Sequence, residues 1–228
     1  MKLDLKFKEN AQSLELGFGQ YQDLTDGGYE RGYAAGYADG ETYGKIVISG
    51  ILDETATDFE NPYVSYLRKF GLAFNNAIKS VNFENVQSTG EHVFYQCYQL
   101  SGVRLPNLTT PGTYAFRDCT ALKELELPKV SVFTYGICQN AKNLVLVDTS
   151  SVTKIDNAAF LDCISLVTLI LRYNKVATLS ATRAFQNTPI ASGTGYIYVP
   201  DNLVEQYKVA TNWSTYASQI KPLSELGE

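Results

Sequence analysis

Three stretches decide the fold: VFYQCYQLSGVRLPNL (residues 93–108), AFRDCTALKELELPKV (115–130) and AFLDCISLVTLIL (159–171). Superposed, they set Phe94 over Phe116 and Phe160, Cys97 over Cys119 and Cys163, and Leu100 over Leu122 and Leu166. The step is 22 residues or its double, and it extends outward into complete columns: Leu72, Phe94, Phe116, Cys138 and Phe160 in one, Asn75, Cys97, Cys119, Ala141 and Cys163 in the next. Further along each unit come Ile78, Leu100, Leu122, Leu144 and Leu166, then Val81, Val103, Leu125, Val147 and Leu169, then Phe83, Leu105, Leu127, Thr149 and Leu171. A period of this length marks a solenoid, in which each coil buries its apolar columns only against its neighbours.

Within each coil the segments LSGVRL (100–105), LKELEL (122–127), LVLVDT (144–149) and LVTLIL (166–171) follow the pattern L-x-x-L-x-L. Alternation of this kind predicts strands, and stacked coils predict a parallel sheet with neighbours about 4.8 Å apart. Pro106, Pro128 and Ser150 turn the chain off the sheet, and Val86, Leu108, Val130 and Val152 return along a second wall. The expectation is a β-rich solenoid of about five coils over residues 45–199. A worn first coil keeps only Ala56, Phe59, Val64 and Leu67, and the last spacing, Phe160 to Phe185, stretches to 25. Solenoid ends need covers, so residues 200–228 are expected to form a helical cap, with Asp201 as N-cap and Trp213 as a lid after a final strand, Tyr196–Val199.

The aromatic, cysteine, leucine and proline positions resemble the pattern AFxxCxxLxxIxLPxxV of BspA-type leucine-rich repeats, LRR_5, over about residues 50–199. The coil at Cys138 departs from it by exchanging aromatic and cysteine. The resemblance implies a leucine-rich-repeat fold and, taken alone, a bacterial cell-surface adhesin.

Residues 1–44 do not share the period and read as a separate module. LDLKF and LELGFGQY predict two short strands. In DGGYERGYAAGYADGETYG, Gly28, Gly32, Gly36 and Gly40 recur every four residues, as do Tyr29, Tyr33 and Tyr37. Spacing of four gathers each set on one helical face, where another helix can approach the glycines, so these residues are the expected oligomer contacts. A flexible glycine-rich linker is the alternative. The opening KFKENAQSLELGFGQYQ and this run resemble the N-terminal module of structural proteins from phages and prophages of Gram-positive hosts. That likeness implies a virion component assembled in the bacterial cytoplasm, joined to other virion proteins and forming a homo-oligomer.

With 228 residues, 45% apolar content, a formal charge of -5 and a pI near 5.0, the chain has ample core material and no clustered basic face for nucleic acid. No uninterrupted apolar run marks a signal peptide or a membrane span. The four cysteines fall in core columns rather than close ligand pairs, which predicts buried thiols; a Cys97–Cys119 disulfide would require an oxidising compartment. No metal site, cofactor or catalytic constellation is expected. His92 reads as a surface turn residue, and Glu124, Glu126 and Asp148 as solvated strand carboxylates. The candidate binding face is the outward side of the sheet, carrying Asn82, Arg104, Glu124, Glu126, Asp148, Ile170 and Arg172, with a host-surface protein or glycan as partner. A noncatalytic binding protein is the leading expectation; a cell-surface adhesin and a purely structural virion decoration are the alternatives.

Overall fold

The computed structural model of the chain describes residues 46–48, 58–60 and 64–227. The expectations for residues 1–44, with Gly28, Tyr29, Gly32, Tyr33, Gly36, Tyr37 and Gly40, lie outside the described residues.

The described chain winds into stacked coils with two walls of parallel strands. On the first wall, Asp58–Glu60, Ser80–Asn82 and Gly102–Arg104 make one sheet. Glu124–Glu126, Leu146–Thr149, Thr168–Leu171, Tyr196–Val199 and Ile220–Pro222 make another. On the second wall, Ile46–Ile48, Val64–Leu67 and Ser88–Thr89 pair in order, as do Val132–Phe133, Lys154–Ile155 and Thr178–Leu179, with a bridge from Ser88 to Thr110. The single continuous sheet expected for the first wall is therefore two, divided between Gly102–Arg104 and Glu124–Glu126. The division falls where the inward Val103 is only half-buried, while Val81 and Leu125 on either side are buried, so inward packing that would hold the ladder in register is weakest there.

The walls are joined by a tight corner that repeats. Each coil takes the left-handed backbone conformation twice, four residues apart: Phe70 and Phe74, His92 and Gln96, Tyr114 and Asp118, Gly136 and Asn140, Ala158 and Asp162. Amides here bond to the next coil, as in Phe94 N–H to Ala115 O at 2.9 Å, Phe116 to Ile137 at 2.7 Å and Cys138 to Ala159 at 2.9 Å. The coils stay stitched at the corner even where the first wall's ladder is interrupted.

The apolar columns point inward. Phe94, Phe116, Cys138, Phe160 and Phe185 are all fully buried. Phe94 stacks on Phe116 at 5.2 Å and Phe160 on Phe185 at 5.7 Å. Where Cys138 interrupts the aromatic column, Phe133 contributes the ring instead, meeting Phe160 edge-on at 5.3 Å. Burial of one such ring is worth about 1.5–3 kcal/mol.

The cysteines behave as core residues. Cys97 donates its thiol proton to Leu72 O at 3.0 Å, Cys119 to Phe94 O at 3.1 Å and Cys163 to Cys138 O at 3.0 Å. All four are free and buried. Burial pushes the Cys97 thiol up to about 12 and raises the other three as well. Folded protein at neutral pH should therefore leave all four thiols unlabelled by a disulfide-exchange reagent, and denaturant should release all four. Fast labelling of the folded chain would show that the column opens.

The C-terminal segment differs from a purely helical cap. Asp201–Leu203 is a single 3-10 turn, Val204–Val209 a short α-helix, and Trp213–Gln219 a kinked 3-10 segment. Ile220–Pro222 then returns as a further strand beside Tyr196–Val199. Asp201 does not cap the helix; its carboxylate accepts from Ser224 N–H at 3.1 Å and so ties the tail down. Trp213 does close the last coil, fully buried, with Nε1 donating to Ala177 O at 2.6 Å. Tyr207 Oη accepts from Ala177 N–H at 2.9 Å, and Tyr216 Oη donates to Thr182 O at 2.7 Å.

Candidate functional site

The candidate site is the outward side of the first wall. Strand alternation turns Leu125, Val147, Leu169 and Ile197 inward, so their neighbours face out. Register aligns the outward residues into rows. One runs Ser80 to Gly102, then, across the division, Glu124, Leu146, Thr168 and Tyr196. The next runs Asn82 to Arg104, then Glu126, Asp148, Ile170, Tyr198 and Lys221.

The structure thus brings Glu124, Glu126, Asp148, Ile170 and Arg172 together and places Asn82 and Arg104 on the other sheet of the same wall. Much of the charge is neutralised internally. Arg104 Nε lies 2.9 Å from Glu84, and Arg172 grips Asp148 through Nε and Nη2, both at 2.9 Å. Lys221 pairs with Glu225 at 3.4 Å and lies 6.0 Å from the Tyr196 ring centre. Glu124 and Glu126 are exposed and have no ion pair among the described residues. Ile170 corrects one expectation: it sits at an outward position yet is only 4% exposed, with Asp148 and Tyr198 as its register neighbours. It forms the floor of an apolar area rather than an open contact.

The face also extends further than the repeat columns reach. Tyr196, 41% exposed, and Tyr198 continue both rows. Their signal was the alternation Tyr-Ile-Tyr-Val at 196–199, hidden by the longer last spacing. Together with Leu146 and Ile170 they give the C-terminal half of the wall an apolar, aromatic character, while the middle carries the carboxylates.

A second surface lies at the corner. His92 is not a solitary surface residue: its ring is half-buried between Phe70 and Tyr114, each 4.8 Å away and stacked. Tyr95 meets it edge-on at 5.4 Å. Arg117 lies 5.4 Å from the Tyr95 ring centre and 5.3 Å from that of Tyr114. The ladder ends at Gly136, where an added Cβ would lie 2.5 Å from the Tyr114 ring. Burial holds the His92 imidazole below its ordinary value of 6.5, opposed by Glu91 and reinforced by Lys69 and Arg117. A base whose folded value is depressed binds its proton more readily when unfolded. Its contribution to stability is therefore present above pH 6.5 and is lost as pH falls through the folded value. His92→Asn, which suits the left-handed backbone, should flatten this part of a stability-against-pH profile; an unchanged slope just below pH 6.5 would contradict the assignment.

Among the described residues no group of three or more His, Cys, Asp or Glu side chains is arranged to hold a metal ion. Likewise, no helix there is long and apolar enough to cross a membrane.

Residues 62–167 and 129–207 match the BspA type leucine rich repeat region, in six copies. The chain belongs to this family of leucine-rich-repeat proteins. Among solved structures it is similar to a leucine-rich repeat protein from Eubacterium ventriosum, with 22% identity and a TM-score of 0.51 over 59% of this chain and 43% of that one. It is similar also to the leucine-rich repeat protein of T. pallidum, with 23% identity and a TM-score of 0.51 over 57% of this chain and 65% of that one. Both likenesses are of fold, and the chain spans less than two thirds of either structure. No curated protein matches.

Proposed function

We propose that this chain is a noncatalytic binding protein of a bacterial cell surface, which holds a partner protein against the outward side of its first wall. The observation carrying this reading is that Leu146, Ile170, Tyr196 and Tyr198 form one apolar and aromatic area on outward strand positions, outside the interior core. Outward positions of a solenoid vary without cost to the stack, and tyrosine is among the residue types enriched where protein interfaces concentrate their energy. Family membership favours the surface reading. The virion reading, with attachment and oligomerisation through residues 1–44, draws no support from the comparisons.

The test is retention of purified cell-surface and matrix proteins, and of glycans on a parallel array, by the full chain and by its Tyr196→Ser/Tyr198→Ser variant. The expected result is a retained protein whose binding falls at least about tenfold in the variant, since two central tyrosines commonly carry more than 1 kcal/mol each. Retention of glycans alone, or equal binding by the variant, would contradict the proposal.

A further inference from the structure

We infer that the segment held by this wall is basic and amphipathic, presenting cationic side chains about 10–14 Å from an apolar or aromatic one. This rests on the reading of the wall as a protein-binding surface and adds the chemistry of the partner. Charge complementarity selects this partner. Arg104 is satisfied by Glu84, Arg172 by Asp148 and Lys221 by Glu225. Among the outward strand positions whose side chains are described, what remains is the pair Glu124 and Glu126, both exposed and without an ion pair to the other described residues.

These two carboxylates stand two positions apart on one strand, about 6.7 Å, which is the spacing of alternate side chains in an extended segment. It is also close to the rise of about 6 Å between helix residues four apart. The apolar area begins one strand over at Leu146. It lies two strand steps from Glu126 at Ile170 and three at Tyr198, which sets the separation above. An acidic segment would meet uncompensated like charge at the centre of the face. A basic one neutralises it while its apolar side covers Tyr196 and Tyr198.

The probe is a synthetic peptide alternating lysine with leucine and tryptophan, and its counterpart with glutamate in place of lysine, each titrated into the full chain. The basic peptide should bind at least about tenfold tighter than the acidic one and weaken as salt is raised. Glu124→Gln/Glu126→Gln should reduce its affinity about tenfold, and Tyr198→Ser should reduce it separately. Equal binding of both peptides, no binding of the basic one, or a basic-peptide affinity unmoved by either variant would overturn the inference. If the inference fails in any of these ways while Tyr196→Ser/Tyr198→Ser still abolishes retention of a protein partner, the wall remains the binding surface and only the cationic partner is rejected. If that retention is unaffected too, the wall reading itself fails.

Discussion

Replacing Phe116 with alanine should destabilise the solenoid by about 3–5 kcal/mol, a large part of the roughly 5–15 kcal/mol that holds a typical domain together. Phe116 is fully buried and stacks on Phe94 at 5.2 Å. The cavity left behind has little means of closing. Its coil is bonded to the next through Phe116 N–H and Ile137 O at 2.7 Å, and to the preceding coil through Phe94 N–H and Ala115 O at 2.9 Å. Urea unfolding followed by circular dichroism measures the loss, and Phe116→Leu should recover part of it by refilling most of the space. A loss below about 1 kcal/mol would mean that the column is not the core described here.

The second large effect is expected at the C-terminal end of the solenoid. Trp213→Ala removes the ring that seals the last coil, together with its bond to Ala177 O at 2.6 Å. It also exposes Phe185, whose ring lies 6.1 Å away, and strips Tyr207 of an edge contact at 5.2 Å. The expected cost is about 3–5 kcal/mol, but its distribution is more informative than its size. A solenoid is stabilised coil by coil, so loss of a lid frays the terminal coil first. Hydrogen exchange should therefore show amides of residues 177–220 losing protection while the Phe94 to Ile137 coils keep theirs. Uniform loss across both regions would indicate one all-or-none core instead.

The columns were legible in the sequence because a solenoid assigns the same place in the coil to residues 22 apart, and the inside of a coil accepts few residue types. The cysteines could be read as core for the same reason: Cys97, Cys119 and Cys163 share one column and one kind of thiol-to-carbonyl bond. Features that depend on backbone geometry were hidden. The division beside Gly102 concerns whether amides meet carbonyls, which side-chain columns do not encode. The ring stack of Phe70, His92 and Tyr114 follows from a left-handed corner that repeats with the coil, and a lone histidine in the sequence carries no sign of it. Ile220–Pro222 falls in the segment expected to be a helical cap, yet it is a strand: at the last strand no further neighbour asks for the donor that proline lacks.

Of the candidate face, the rows through Glu126, Asp148 and Arg172 could be read from alternation alone, although not their mutual pairing. Tyr196 and Tyr198 were missed as members of those rows because an irregular insertion separates them from the repeat. Ile170 shows the limit of alternation most clearly. Parity assigns it outward, and only the packed neighbourhood reveals that it is covered.

Partner binding and thermal unfolding, measured together on the full chain carrying Tyr196→Ser, Tyr198→Ser and Glu126→Lys, separate a binding surface from a part of the core. If the outward wall is a binding surface that the fold does not need, binding falls at least about tenfold while the melting temperature shifts by only a few degrees. Binding that survives the three substitutions would show that the partner sits elsewhere, and a loss of binding that merely tracks a collapse of the fold would show that the wall is needed for folding instead.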